Sequence, residues 1–218
     1  VVVEQQDNTF CIKGNEKYTS KNLKVEGDWS QAAFFAVPGS IAGGISVRGL
    51  RADSLQGDRV VLEILRRCGA RFQEENGVYS FEKSALTAAE IDLADCPDLG
   101  PVLMAMALFC EGETHFINAG RLRIKESDRI AAMESEIRKM GGVIRSTQDE
   151  VFVTGGPLHS ANLDSHNDHR IAMAMAAASM ASGVPVVIDD AQAVRKSYAN
   201  FWDDAASLGA QVKRDETT

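Results

Sequence analysis

The sequence Asp168-His-Arg-Ile-Ala-Met-Ala-Met175 has two earlier counterparts in the chain, in which an aspartate again precedes a small, apolar segment. Asp28 precedes Trp-Ser-Gln-Ala-Ala-Phe-Phe35, and Asp98 precedes Leu-Gly-Pro-Val-Leu-Met-Ala-Met106. The three aspartates are evenly spaced, 70 residues apart. Because segments that are apolar nearly all round indicate buried helices, this repeat predicts three helices packed together at the centre of the fold.

A second series of helices follows with the same period, since Asp58-Arg59 lies 70 residues before Asp128-Arg129. We expect glycines to end both series, at Gly43, Gly112 and Gly183 for the first and at Gly69, Gly141 and Gly209 for the second. Short β-branched segments and hairpin-like pairs lie between the helices. The pattern predicts an α+β fold of three β-α-β-α-β-β units, at about 21–86, 87–156 and 157–214.

The third unit is incomplete, because the sequence reaches Gln211-Val-Lys213 without a second hairpin strand. We expect a strand outside this chain to complete it. Strands are also predicted at Leu23–Val25 and Ala89–Leu93, before the first helices of units one and two. The chain opens Val-Val-Val-Glu, with neither an initiator methionine nor a signal peptide, so we expect it to be cut from something longer.

Composition excludes several classes of function. A net charge of −8 argues against a general nucleic-acid or anionic-membrane surface, and 6% aromatic residues disfavour base stacking. The longest apolar stretch, 171–188, is interrupted by serine, glycine and proline, so we expect no membrane span. The four cysteines lack C-x-x-C spacing, and we expect reduced, buried, structural thiols in a cytoplasmic protein. The histidine spacing predicts no metal site.

A cationic cluster lies within Arg121-Leu-Arg-Ile-Lys-Glu-Ser-Asp-Arg129, directly before an amphipathic helix with Ile130, Met133, Ile137 and Met140 on one face. Ser127 is the expected N-cap and Gly141 the expected C-cap. Helix N-termini favour anions, so Arg121, Arg123, Lys125 and Arg129 predict a phosphate or carboxylate site. Glu126 is unusual in such a site. The alternative is a set of solvated charges at an exposed helix start.

Further candidate residues lie in the third unit, where Asp168-His169-Arg170 precedes the apolar helix and Lys196 precedes the last helix. Each has an ordinary structural alternative: Asp98 and Asp168 as N-caps, His169 as a satisfied helix-start histidine, and Lys196 as a solvated cation. Unit one offers only Asp28, Asp58 and Arg59, and we expect it to be structural. Units two and three therefore hold the candidate site.

Four motifs resemble signatures of the 5-enolpyruvylshikimate-3-phosphate synthase (3-phosphoshikimate 1-carboxyvinyltransferase) family: Arg123-Ile-Lys-Glu-Ser-Asp-Arg-Ile130, Asn167-Asp-His-Arg-Ile-Ala-Met173, Cys96-Pro-Asp-Leu99 and Arg195-Lys-Ser-Tyr198. Glu26-Gly-Asp-Trp-Ser resembles a further segment of the family, and the similarity runs from about residue 9 to 210. The family fold is an inside-out α/β barrel of two domains with three units each. The resemblance implies that 1–20 is a lead-in strand region and 21–218 the C-terminal domain, whose partner is the N-terminal domain.

The resemblance also implies a reaction, in which the enolpyruvyl group of phosphoenolpyruvate is transferred to the 5-hydroxyl of shikimate 3-phosphate and phosphate is released. It implies no metal and no cofactor. Asp98 would be the base, and Glu126, with Lys196, the proton donor or relay. The implied substrate-binding residues are Lys125, Arg129, Arg170, Arg121, Asp168 and His169. At Arg121 some members carry an asparagine that contacts the shikimate phosphate, and Ala199 replaces a usual proline beside Lys196.

Two alternatives differ in function. A UDP-N-acetylglucosamine enolpyruvyl transferase shares the fold, but the Lys-Glu-Ser-Asp-Arg and Asp-His-Arg motifs favour the shikimate enzyme. A non-catalytic anion-binding module would keep the fold without needing Asp98, Glu126 and Lys196. We expect the isolated chain to be inactive, because the family's site lies between two domains.

Overall fold

The three aspartate-led helices form the centre of the molecule, as the repeat predicts. The structure is a computed structural model that describes residues 1–214. Helices α1, α3 and α5 are buried along most of their lengths and contact one another. Their small side chains allow close approach, and aliphatic and aromatic groups fill the space between them. In the described part of the chain the helices are α1 (Trp29–Ala42), α2 (Val61–Arg67), α3 (Gly100–Ala107), α4 (Arg129–Lys139), α5 (His169–Ser182) and α6 (Phe201–Ser207).

The strands form small sheets around these helices. Within residues 1–214 they are β1 (Val3–Gln6), β2 (Thr9–Ile12), β3 (Ile45–Arg48), β4 (Arg71–Glu75), β5 (Val78–Glu82), β6 (Leu86–Thr87), β7 (Glu90–Asp92), β8 (Cys110–Glu111), β9 (Glu113–Ile117), β10 (Val143–Ser146), β11 (Val151–Thr154), β12 (Asn162–Asp164) and β13 (Val187–Asp189). One sheet has the order β10-β11-β9-β7 and another β3-β5-β4. Both predicted hairpins, β4–β5 and β10–β11, form.

Four short 3₁₀ segments in the described residues precede later helices: Gly57–Val60, Pro97–Leu99, Gly120–Ile124 and Ala191–Lys196. They contain three of the candidate site residues, Asp98, Arg121 and Lys196. The segments at 97–99 and 120–124 each lead to the start of a helix and contact each other. This contact brings Asp98 close to the cationic cluster.

The ends of the helices differ in part from the sequence predictions. The N-cap of α4 is Asp128, not Ser127, because the Asp128 carboxylate accepts from the Ala131 amide at 3.0 Å. Gly141 has a φ of +90° just beyond α4, as expected of a C-terminal glycine. The prediction that α3 runs to Gly112 was wrong, since α3 ends at Ala107 and Cys110 already pairs with Leu86.

The strand predicted at Leu23–Val25 is not formed, and both Leu23 and Val25 are more than 80% exposed. In the second unit β7 pairs in parallel with β9. In the corresponding segment of the first unit, only one backbone hydrogen bond forms, from the Gly27 amide to the Gly49 carbonyl at 2.8 Å. Residues 211–213 are likewise not a strand. Neither segment is paired with another strand within residues 1–214, and a lone strand is not stable in water.

Other predictions are tested by burial. Cys68, Cys96 and Cys110 are buried free thiols, as expected, whereas Cys11 is exposed on β2. Residues 1–12 form a solvent-exposed hairpin of β1 and β2. Among the described residues there is no helix with the length and apolar character needed to cross a membrane.

Candidate active site

The starts of the buried helices meet around Asp98, which lies in the 3₁₀ segment before α3. One oxygen of Asp98 lies 3.0 Å from Arg129 Nη1 and 3.2 Å from Lys125 Nζ. Its other oxygen lies 3.2 Å from Arg170 Nη2. Burial raises the pKa of Asp98, but Arg170, Lys125 and Arg129 outweigh burial and hold the pKa below its usual value. Asp98 is therefore ionised at neutral pH, and the N-cap interpretation is wrong because α3 has no side-chain cap.

Arg129 is the buried centre of this network, with 1% of its side chain exposed. Its Nε donates to Asp168 at 2.8 Å, and its Nη2 donates to Glu126. A buried guanidinium is costly to desolvate unless its donors are paired, and three carboxylates share that task here. Glu126 therefore has a structural partner within the cationic cluster.

Asp168 has two roles, because it caps α5 and also binds Arg129. Its side chain accepts from the Arg170 amide at 2.9 Å and from the Ser127 hydroxyl at 3.1 Å. This second contact explains why Ser127 is not the cap of α4. Burial raises the pKa of Asp168, but hydrogen bonding and charge from Arg129 more than offset burial and lower the pKa.

Arg170 connects the three copies of the repeat. Its Nη1 donates to the Asp98 backbone carbonyl at 3.1 Å, and its Nη2 donates to Ser30 Oγ on α1 at 3.3 Å. Only 7% of the residue is exposed. Because these contacts come from α1, the segment before α3 and α5, the packing of the helices determines where the guanidinium lies.

An open cavity of about 390 Å³ lies beside this network. Asp98, Lys125 and Arg121 line it, together with Gln56 and Asp58 of the first unit. Arg121 donates to the Ala94 carbonyl at 3.2 Å. Two cations and three aspartates, Asp58, Asp95 and Asp98, thus border a space large enough for a small ligand, which favours a ligand with both anionic groups and hydroxyls.

Comparison with known proteins agrees with this arrangement. A profile of EPSP synthase (3-phosphoshikimate 1-carboxyvinyltransferase) matches residues 1–205. The chain belongs to the EPSP synthase family. A 3-phosphoshikimate 1-carboxyvinyltransferase of Clostridium kluyveri is 45% identical over 204 residues, which are 93% of this chain and 48% of that protein.

Solved structures agree with the family assignment. An EPSP synthase from Acinetobacter baumannii has a TM-score of 0.81 at 27% identity, over 95% of this chain and 51% of its own. The enolpyruvyl transferase NikO from Streptomyces tendae, at 16% identity and a TM-score of 0.71, shares the fold. The chain spans about half the length of the curated relatives it matches.

Two predicted site residues of this EPSP synthase family chain lie beside the network and not within it. Lys196 is exposed, and its ammonium donates to the Asn167 carbonyl and, at 2.8 Å, to Asn167 Oδ1. His169 is buried, its Nδ1 has no hydrogen-bond partner, and it lies 3.8 Å from Asp168. Burial and the charge of Arg170 lower the pKa of His169, so the ring is neutral at pH 7. The satisfied-histidine interpretation was therefore wrong.

Sequence reasoning missed Asp58, because it treated the first unit as structural. Asp58 lines the cavity, where burial and then the Asp98 charge raise its pKa to about 6. The available signal was the 70-residue spacing from Asp128, which placed Asp58 at the start of a helix near the same face. Within residues 1–214 no three His, Cys, Asp or Glu side chains are arranged to hold a metal ion.

Proposed function

We propose that this chain is the C-terminal half of an enzyme that transfers the enolpyruvyl group of phosphoenolpyruvate to the 5-hydroxyl of shikimate 3-phosphate. Residues 21–218 would be the C-terminal domain, with three repeated units of an inside-out α/β barrel at about 21–86, 87–156 and 157–214 and with 1–20 as the lead-in from the N-terminal domain; residues 215–218 lie outside the described residues. That N-terminal domain is the expected partner, because the chain spans about half of its relatives. The family match favours this function over the UDP-N-acetylglucosamine alternative.

The observation that carries the proposal is a carboxylate surrounded by three cations at the edge of a cavity. Asp98 contacts Lys125, Arg129 and Arg170, with Arg121 on the same cavity wall. Shikimate 3-phosphate and phosphoenolpyruvate each carry a phosphate and a carboxylate, so their binding requires several cations. A site for anions alone would not need Asp98, whereas a substrate hydroxyl requires an acceptor.

In the proposed reaction, the 5-hydroxyl oxygen attacks C2 of phosphoenolpyruvate and loses its proton to Asp98, while C3 gains a proton from Glu126 or Lys196. The tetrahedral intermediate then loses a proton from C3, and the C2–O bond to phosphate breaks. This addition and elimination requires an acid and a base on opposite sides of one carbon skeleton. No electron carrier is needed, because no atom changes its overall oxidation state across the two substrates.

The cations would also adjust the strength of the base. In the free chain they hold the pKa of Asp98 below its ordinary value, which makes it a weak base. Bound phosphate and carboxylate groups would neutralise Arg129, Arg170 and Lys125, so the pKa of Asp98 would rise toward a more useful value. Substrate binding would thereby activate the residue that the substrate hydroxyl contacts.

The test has a binding arm and a reaction arm. Shikimate 3-phosphate and phosphoenolpyruvate are titrated into the chain by heteronuclear NMR, and we expect shifts centred on Lys125, Arg129 and Arg170. The chain is then mixed with the N-terminal half of the Clostridium kluyveri relative, and phosphate release is measured. Glu126→Gln should lower the rate about 100-fold, because it cannot transfer a proton. Glu134→Gln, whose carboxylate binds Arg138 and Ser146 away from the network, is the matched control.

The outcomes separate the alternatives. Binding with phosphate release that depends on Glu126 supports the proposal, and binding with equal rates for both variants contradicts the assigned role. Binding without any turnover, in a mixture whose halves form a complex, would favour the non-catalytic module. Robust turnover by the chain alone would contradict the half-site arrangement.

A further inference from the structure

Glu136 is a buried carboxylate that lies outside the candidate site, on the helix that begins with Arg129. Its side chain is 0% exposed, and Lys139 Nζ lies 2.9 Å and 2.8 Å from its two oxygens. Burial raises the pKa of Glu136, but hydrogen bonds from Lys139, the Asp164 amide and His166 bring it below its usual value. A fully buried charge of this kind is costly to maintain, so its contacts require an explanation.

Two of those contacts reach the turn formed by residues 164–167. One Glu136 oxygen accepts from the Asp164 amide at 2.9 Å, and the other lies 2.9 Å from His166 Nε2. The carboxylate thus fixes both the backbone and a side chain of a turn 28 residues further along the chain. Lys139, which is half exposed, balances the charge from the solvent side.

The turn has an unusual backbone that needs such support. His166 and Asn167 both have φ of +52°, in the left-handed region that side-chain-bearing residues rarely adopt. Such conformations persist where surrounding contacts determine them. Here the His166 amide donates to Asp164 Oδ1 at 2.7 Å, and the Asn167 amide donates to Ser165 Oγ at 3.1 Å.

The 164–167 turn also determines where two site residues lie. The Asn167 carbonyl and Oδ1 are both acceptors for the ammonium of Lys196, because the left-handed backbone directs them to the same side. Asp168 follows directly and binds Arg129 at 2.8 Å. Hydrogen bonds together with the backbone of the turn therefore connect Glu136 to Lys196 and Asp168.

We propose that Glu136 is a positioning residue for Lys196, acting through the 164–167 turn. The part of the inference that concerns phosphoenolpyruvate rests on the proposed function above; the part that concerns Lys196 does not. A purely structural role would make Glu136 a stabiliser of α4 against β12, without any effect on the environment of the Lys196 ammonium. A positioning role predicts that Glu136→Gln changes the NMR resonances of Lys196, whereas a purely structural role predicts no change.

The test compares Glu136→Gln with Glu134→Gln in the full chain. Glu134 lies on the same helix and also binds a cation and a hydroxyl, Arg138 and Ser146, but it does not contact the turn. The Lys196 Cε and Nζ resonances are followed by NMR, together with the affinity for phosphoenolpyruvate. Asn167→Gly removes the side-chain acceptor of Lys196 and relieves the left-handed strain, so it supplies the reference shift for a lysine held by the backbone carbonyl alone.

We expect Glu136→Gln to move the Lys196 resonances toward those of Asn167→Gly and to weaken phosphoenolpyruvate binding about tenfold, since small displacements of site residues have large effects. Glu134→Gln should leave both unchanged. If Glu136→Gln does not fold, His166→Gln makes the same comparison, because it removes only the ring contact. Unchanged Lys196 resonances in a folded variant would overturn the inference. Absence of phosphoenolpyruvate binding to the wild-type chain would count against the proposed function, while the Lys196 resonances would still decide the role of Glu136.

Discussion

Asp28 and Asp98 stand 70 residues apart before corresponding buried helices, yet their carboxylates have different partners. Asp28 caps α1, accepting from the Ser30 amide at 2.8 Å and the Gln31 amide at 3.4 Å. Asp98 caps nothing and binds three cations instead. Pro101 of α3 stands where α1 has Gln31, and a proline has no backbone N–H to donate to the preceding aspartate. The local sequence thus frees the aspartate of one copy for the site.

The second series of aspartates shows the opposite assignment. Asp128 of the second unit caps α4, whereas Asp58 of the first unit makes no cap and lines the cavity. Units one and two therefore each contribute one aspartate to helix capping and the other to the site, whereas Asp168 of the third unit does both. The comparison teaches that a repeat predicts where a residue lies, while the partners available at that point decide what the residue does.

The largest expected difference between the two units concerns the arginines that follow the second-series aspartates. Arg129→Met should lower the free energy of unfolding by about 3–5 kcal/mol, because it leaves the fully buried Asp168 without its charge partner. Arg59→Met, at the corresponding exposed position of the first unit, should have little effect. Urea denaturation at pH 7 measures both. Equal losses would mean that the two positions are equivalent after all.

The next test concerns the first-series aspartates. Asp98→Asn should lower the free energy of unfolding by about 2 kcal/mol at pH 7, because it removes the carboxylate charge that Lys125, Arg129 and Arg170 share. Because the folded-state pKa of Asp98 is lowered, this contribution is present above the unfolded pKa and is lost as the pH falls through the folded pKa. The difference between variant and wild type should therefore shrink in acid.

Asp28→Asn is the matched control for Asp98→Asn. Asparagine caps helices about as well as aspartate, so we expect almost no change in the denaturation midpoint at any pH between 4 and 8. A loss at Asp28 as large as that at Asp98 would contradict the division between capping and site aspartates.

Much of the fold could be predicted from the sequence, because buried helices and hairpins have strong local signals. The apolar residues of α5 and the Asn76-Gly77 turn between β4 and β5 are examples. The strand at Leu23–Val25 could not be excluded in this way, since its pairing depends on a neighbour and not on its own β-branched residues. The length of α3 depended on the pairing of β6 with β8, which is also non-local.

The candidate site was predictable where charge and spacing coincided. Lys125, Arg129 and Arg170 were identified from charged residues at helix starts, and the structure brings them to Asp98. Asp58 was missed because a single aspartate in a loop has no sequence signal that distinguishes solvent from a cavity. Its role depends on desolvation and on the Asp98 charge, which only the packing of two units creates.

Asp58→Asn should change the free energy of unfolding only slightly, but the direction of the change is well defined. The pKa of Asp58 is raised from 3.8 to about 6, so between these values the folded chain binds more protons than the unfolded chain. The free energy of unfolding must then fall as the pH rises through this window. Asp58→Asn removes the buried charge and should stabilise the chain by about 1 kcal/mol at pH 7.5, after allowance for solvent screening. The gain should vanish near about pH 2.5, well below the ordinary pKa of 3.8, where the wild-type carboxyl is protonated in both states. Thermal or urea unfolding at the two pH values measures it, and a loss of stability at pH 7.5 would mean that the folded state favours the ionised form of Asp58.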